Sequence, residues 1–360
     1  MELGSVQGRP EGPLLDVALQ EGGQGLARQL SFCIERVPFY RQRREAYARA
    51  LQEKDQAAAF NALPILFKQQ VRGVPPFELL PEQRRGGEFE YPVHRGTGGT
   101  TGAPVSVLYE RADWELAVEM HRARFQRAFG HIASQVAFNN YHQGHISGPV
   151  FSESISRSGG ICINRSFKAN DAQALKELAW HRCNVIIAPP DATHKGGTLS
   201  TLLELDSIAR TPYFTAGALK GVVLSSTSLK PGMLEELRRL GVVVVNCYGS
   251  TEIMPVAFSC PRDEMRFHLV GEPFAAHVVD RSGRLVGPGQ RGMVVLSRFA
   301  RHEDGAWTPS ASTSLMKFFS GDEAAWHTDP CPCGHKGASL TDIRRVADIE
   351  EKELNGCQAW

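Results

Sequence analysis

Two sets of residues in this chain have the types and spacing to do chemistry. The first is the run Thr97-Gly98-Gly99-Thr100-Thr101-Gly102-Ala103-Pro104. Glycine lets the backbone turn sharply and approach a ligand closely. Successive N–H groups in such a turn form an anion-sized concavity, and threonine hydroxyls add donors around it. That chemistry suits a polyphosphate, although an arbitrary Gly/Thr cluster is more often a plain surface turn. The run has no Gly-Lys-[Ser/Thr] ending and no G-x-G-x-x-G spacing, which excludes two common phosphate loops. The second set is Cys260 and His268 with the later Cys331-Pro332-Cys333-Gly334. Thiolates and an imidazole are the usual tetrahedral zinc set, and closed four-ligand sites are structural. His327 and His335 compete as the nitrogen ligand, and four unrelated residues is the plainer alternative.

The elements that must position these groups read as an alternation of helices and apolar runs. A helix is expected from about residue 25 to 44, running into Val37-Pro38-Phe39-Tyr40. After the Gly/Thr run, 105–109 reads as a strand, and Asp113 is expected to cap a helix through about Phe129, closed by Gly130. A short buried strand at 135–139 delivers the polar turn Asn139-Asn140-Tyr141-His142-Gln143-Gly144-His145. A helix near 171–182 precedes a strand at 184–188. A strand at 221–225 precedes a helix with Pro231 in its first turn, where a missing N–H costs nothing. That helix ends at Gly241 and leads into the valine run 242–245. Uninterrupted valine runs between helices mark parallel strands buried on both faces, giving an α/β layered sandwich. Ligands in such sheets bind beyond the carboxyl ends of the strands. Ser225-Ser226-Thr227-Ser228 and Asn246-Cys247-Tyr248-Gly249-Ser250-Thr251-Glu252 stand at those ends.

Composition narrows the class of function. The chain has 360 residues, 42% hydrophobic and 22% charged, as in an ordinary globular protein. Forty Lys and Arg nearly cancel 39 Asp and Glu, so neither nucleic acid nor a charged membrane surface is indicated as a partner. No apolar run approaches the length of a membrane span, and the N-terminus has no signal pattern. Scattered cysteines in a chain too large to need staples read as reduced thiols, and the expected location is cytoplasmic.

The order of motifs resembles the adenylate-forming (ANL) superfamily. The Gly/Thr run is similar to its phosphate loop, with Ala103 where most members have lysine. Asn246–Glu252 resembles the family's D/N-x-Y-G-x-[S/T]-E. Gly271-Glu272-Pro273, Val279-Asp280-Arg281-Ser282-Gly283 and Gly289–Leu296 resemble its G-E-P, V-D-x-x-G and G-x-x-G-E-V-V-L turns, a β hairpin region. Phe318-Phe319-Ser320-Gly321-Asp322 resembles Y-R-T-G-D with Phe319 in place of arginine, and Arg345 lies near the hinge arginine. Val37–Tyr40 and Leu63-Pro64-Ile65-Leu66-Phe67-Lys68 resemble the opening of the phenylacetate–CoA ligase branch.

The resemblance implies roles. ATP is expected on Thr97, Gly98, Gly99, Thr100, Thr101, Gly102, Ser226, Thr227, Asn246, Tyr248, Gly249, Asp322 and Arg345. Tyr248 offers its ring to the adenine, Asn246 reads the amino edge, and Asp322 chelates both ribose hydroxyls. Candidate catalytic residues are Thr100, Thr251 at the α-phosphate, and Glu252, which supplies a hard oxygen to Mg2+. Tyr141, His142, His145, Ser225, Gly249 and Ser250 line the acyl pocket, whose polar members imply an acid with further hydrogen-bonding atoms. The resemblance extends to a structural Zn2+ knuckle at Cys260, His268, Cys331 and Cys333. The implied divisions are a helical lead-in (1–90), a nucleotide- and acyl-binding core (91–270), a β subdomain (271–348) and a tail (349–360) in place of the family's mobile C-terminal domain. The implied function is adenylation of an aromatic acid, as in phenazine antibiotic biosynthesis, with the acyl-adenylate passed to a partner reductase or acyltransferase and the chain a homodimer. The alternatives are an aryl-CoA ligase completed in trans and an inactive nucleotide-binding protein.

Overall fold

The apolar runs that alternate with helices become the strands of one large sheet. The computed structural model describes residues 24–53, 55–83, 87–96, 105–165, 173–190, 199–207, 213, 217–225 and 231–346. The run 97–104 and residues Ser226 and Thr227 lie outside the described residues. In chain order the described strands are β1 (Val93–Gly96), β2 (Ser106–Tyr109), β3 (Val136–Asn139), β4 (Ile161–Asn164), β5 (Val185–Ala188), β6 (Gly221–Ser225), β7 (Val243–Tyr248), β8 (Ala257–Ser259), β9 (Arg266–Leu269), β10 (Phe274–Val279), β11 (Arg291–Arg298), β12 (Arg301–Glu303), β13 (Ala306–Thr308), β14 (Phe318–His327) and β15 (Ser339–Arg345). Eleven of them form a single sheet in the order β10-β11-β14-β15-β9-β8-β7-β6-β5-β3-β4. From β4 to β7 the neighbours are parallel. From β7 to β10 they are antiparallel. The expected α/β sandwich with a β region toward the C-terminus is what the chain forms.

Burial explains why the valine runs are strands. Val185, Ile187, Val223 and Val245 pack into one core with the helices Arg111–Phe129 and Ser147–Ser156, through Val118, Phe125, Val150 and Phe151. Their alternates Ile186, Val222, Leu224 and Val244 pack into a second core with Leu178, Leu202, Leu234 and Leu237 of the helices Gln173–Trp180, Leu199–Ser207 and Pro231–Arg239. Side chains alternate across a strand, so a sheet covered on both sides needs apolar residues at every position. Each such side chain contributes roughly 1.5–3 kcal/mol on burial.

Two local expectations are corrected. The single helix from 25 to 44 is broken: Gln24–Arg36 ends, Pro38–Arg41 begins anew, and Val37 between them is extended at φ −102, ψ 117. The clash of the proline ring with the preceding residue disfavours helix at that residue. Asp113 does not cap its helix. The helix starts at Arg111, and Asp113 is fully buried in its first turn against Arg301, Ser310 and Ser312. No described helix is long and apolar enough to cross a membrane.

Candidate nucleotide and acyl site

The carboxyl ends of β3, β5, β6 and β7 converge, and the polar turns of the sequence emerge there. The Asn140 N–H donates to the carbonyl of Ile187 at 2.8 Å, tying the turn after β3 to β5. The Tyr141 hydroxyl donates to the carbonyl of Ser225 at 2.7 Å, tying the same turn to the end of β6. Ser225 pairs with Cys247 of β7, one residue before Tyr248.

Tyr248 reaches across to the antiparallel half of the sheet. Its hydroxyl donates to Asp322 Oδ2 at 2.8 Å. Arg345 Nη1 holds the other oxygen, Oδ1, at 3.1 Å and donates to the Ser320 carbonyl at 2.9 Å. Cross-strand pairing sets this up, because Asp322 of β14 stands directly opposite Arg345 of β15. Gly321 is required between them: its φ is +85, and a Cβ there would lie 2.9 Å from the guanidinium of Arg345. Burial, with the Asp322 charge beside it, pushes the Tyr248 phenol well above its ordinary range, so it stays a donor to the carboxylate. Phe319, the departure from arginine, is buried and packs edge-on against Phe67 at 6.1 Å.

Three residues beyond Tyr248, Thr251 and Glu252 are buried in the turn after β7. Their backbone is gripped from behind: the Tyr109 hydroxyl donates to the Thr251 carbonyl at 3.1 Å, and Arg298 Nη2 donates to the Glu252 carbonyl at 2.8 Å. The Glu252 carboxylate faces Lys68, whose Nζ lies 3.3 Å from Oε1. Lys68 went unassigned when the sequence was read, although it closes the Leu63–Lys68 motif. The signal was present, but nothing in a linear chain ties it to Glu252. Asn246 is buried, and its backbone N–H donates to Ser259 Oγ at 2.9 Å. The Ser250 hydroxyl accepts from the Ile253 N–H at 3.3 Å, and Gly249 lies against Met254.

Around Tyr141 the polar turn is folded on itself. His145 stacks on the Tyr141 ring at 5.7 Å, and Phe151 meets the same ring edge-on. His142 Nδ1 accepts from the Gly144 N–H at 2.9 Å, and His145 Nδ1 accepts from the Ser147 N–H at 3.2 Å. An imidazole whose Nδ1 accepts carries its proton on Nε2. In both rings the proton therefore sits on the far nitrogen. Gly148 allows the close return of the following helix, since a Cβ there would lie 2.5 Å from the His142 carbonyl.

The structure also brings together Cys260, His268, Cys331 and Cys333, whose ligand atoms all lie within 4.8 Å of one another. Cys260 Sγ and Cys331 Sγ are 3.5 Å apart, and Cys333 Sγ is 3.7 Å from His268 Nε2. Three sulfurs and one imidazole nitrogen at this separation fit a tetrahedral zinc ion. Of the competing histidines, His327 is engaged by Thr341 at 2.8 Å, while His335 stacks on His268 at 4.0 Å.

Comparison with known proteins agrees with this geometry. The family model for AMP-binding enzymes matches residues 97–299. Among solved structures, 2-hydroxyisobutyryl-CoA ligase in an open conformation with 2-HIB-AMP and CoA superimposes at TM-score 0.70 with 18% identity, over 88% of this chain and 71% of that one. The same ligase in its thioesterification state gives 0.71 with 20% identity, over 90% and 67%. VinN with L-aspartate gives 0.50 with 17% identity, over 72% and 62%. No curated protein sequence matches. At these identities the structural likeness speaks to the fold, whereas the family model covers more than half of the chain. The chain belongs to the AMP-binding enzyme family, the adenylate-forming enzymes that activate carboxylic acids.

Proposed function

We propose that this chain adenylates an aromatic carboxylic acid, a carboxylate oxygen attacking the α-phosphorus of ATP and pyrophosphate leaving. The observation that carries the reading is the Tyr248–Asp322–Arg345 constellation built onto the same strand end as Thr251 and Glu252. A carboxylate fixed by a phenol and a guanidinium keeps its remaining lone pairs for vicinal ribose hydroxyls. The Tyr248 ring takes the adenine face, and Asn246 reads its amino edge. The Thr251 hydroxyl donates to the α-phosphate. The Thr97–Gly102 run, Thr100 included, is assigned to the phosphates, and Ser226 and Thr227 to the adenine.

Glu252 supplies the hard oxygen that Mg2+ prefers, and the ion neutralises phosphate charge when bound. Lys68 already balances that carboxylate, and its ammonium is at hand for an anionic oxygen at the reacting phosphate. The chain's contribution is positioning and charge stabilisation, since the carboxylate of the substrate is itself the nucleophile.

An aromatic acid is supported by the stacked Tyr141–His145 pair, and a polar substituent on it by the polar rings of His142 and His145 in the same turn. On this reading the chain is assigned to the phenylacetate–CoA ligase branch and its substrate to acids of the phenazine kind, the product going to a reductase or acyltransferase. The same reading divides the chain into lead-in 1–90, core 91–270, β region 271–348 and tail 349–360, with a structural zinc on Cys260, His268, Cys331 and Cys333. Acid-dependent ATP–pyrophosphate exchange across aryl, phenazine and aliphatic carboxylic acids tests it. Exchange with a polar aromatic acid is expected; exchange with aliphatic acids alone overturns the aromatic assignment.

A further inference from the structure

Arg298 is the largest side chain in the fully buried core, at 1% exposure. It stands at the end of β11, its guanidinium 4.4 Å from the centre of the Tyr109 ring and 5.5 Å from that of Phe274. Burying a cation among aromatic rings is costly, and an apolar side chain of similar volume commonly does the packing as well or better. Asp113 offsets that cost through Nη1 at 3.5 Å, while Arg301, the other cation on Asp113, is also faced by Glu110 and Glu303. That ion pair engages Nη1 and leaves the role of Nη2 to be explained. What it does that no apolar residue can is donate to the Glu252 carbonyl at 2.8 Å. Tyr109, stacked beneath it, donates to the adjacent Thr251 carbonyl at 3.1 Å. Consecutive carbonyls of the one turn that presents both the Thr251 hydroxyl and the Glu252 carboxylate are thus held by two buried donors that touch each other.

We infer that Arg298, with Tyr109, is a positioning residue for the metal–nucleotide site: the pair fixes the Thr251–Glu252 backbone so that its two side chains meet metal and phosphate without reordering. The inference rests on the adenylation reading. An unsupported turn would have to be ordered by the ligand at each binding event, and that cost appears as weaker metal–nucleotide affinity. The acid pocket is built chiefly on the turn after β3 and the end of β6, and only Gly249 and Ser250 of it belong to the supported turn.

The test uses Arg298→Met, Arg298→Lys and Tyr109→Phe, with Mn2+ binding in the presence of ATP followed by electron paramagnetic resonance. Arg298→Met keeps the volume and leaves Asp113 paired with Arg301. Tyr109→Phe removes one oxygen and keeps the ring, so it decides the matter if the arginine variants do not fold. Each variant that removes a donor is expected to bind Mn2+–ATP about tenfold more weakly, the scale of one hydrogen bond involving a charged group. Arg298→Lys should recover part of the loss, and the KM for the acid should change less than the Mn2+–ATP affinity. Variants that lose thermal stability yet bind Mn2+–ATP like the native chain would make Arg298 a packing residue and overturn the inference. Native chain that fails to bind Mn2+–ATP would instead overturn the nucleotide reading beneath it.

Discussion

Asp322 concentrates the chemistry of the site in one carboxylate. Its neighbours already use one oxygen each, through Tyr248 and Arg345, so it is oriented before any ligand arrives. Replacing Asp322 with alanine should raise the KM for ATP about 10- to 100-fold, the range for a hydrogen bond to a charged group, and leave the KM for the acid nearly unchanged. Steady-state exchange kinetics read both constants. Asp322 was legible in the sequence because Ser320-Gly321-Asp322 falls in the right order behind the Tyr248 motif. Lys68 and Arg298 were not, because their partner Glu252 is reached only through the sheet and the fold must exist before the pairs do. The Gly/Thr run 97–104, the plainest phosphate signal in the sequence, lies outside the described residues.

Among the elements, the parallel strands were the easiest to read. Val222–Leu224 and Val243–Val245 are apolar at nearly every position because both faces of the sheet are covered. The break at Val37 was harder to see, since the apolar spacing runs on past it and only Pro38 marks the stop. The antiparallel strands were legible as hairpins from their glycine turns, but not their continuation of the same sheet, which depends on β9 pairing with β15 far along the chain. The Cys/His cluster joins those same strands, with Cys260 just after β8, His268 within β9, and Cys331 and Cys333 on the connection from β14 to β15. A zinc ion bound there would tie the connection to the sheet. Metal analysis of the purified chain should find one zinc per chain, and Cys331→Ser should lose it and lower the melting temperature by several degrees. Because binding a folded site is folding free energy, a chelator should lower it likewise. An unchanged melting temperature after complete chelation would remove the structural role.

At the scale of the whole molecule, two buried imidazoles make the fold acid-sensitive. His121 is enclosed by Phe125, Phe151 and Phe258, its Nδ1 on the Ala117 carbonyl at 2.7 Å, and burial pulls its pKa from 6.5 down to about 4. His277 lies among Phe60, Phe299 and Trp326, and burial, with Lys317 nearby, pulls it likewise to about 4. Below pH 6.5 the unfolded chain takes up these protons and the folded chain does not, so stability falls as pH drops from 6.5 toward 4. Each group contributes up to about 3 kcal/mol of that loss. Denaturant titrations at pH 7, 5.5 and 4.5 should show the decline, and His121→Leu should make it shallower.

The most direct test of adenylation follows an oxygen atom. The acid that supports exchange is labelled with oxygen-18 in its carboxylate and turned over with ATP, and the products are read by mass spectrometry after the adenylate is cleaved at the acyl carbon with hydroxylamine. Attack on the α-phosphorus predicts one labelled oxygen in AMP, with pyrophosphate unlabelled. Unlabelled AMP, or ADP and phosphate as the products, would contradict it.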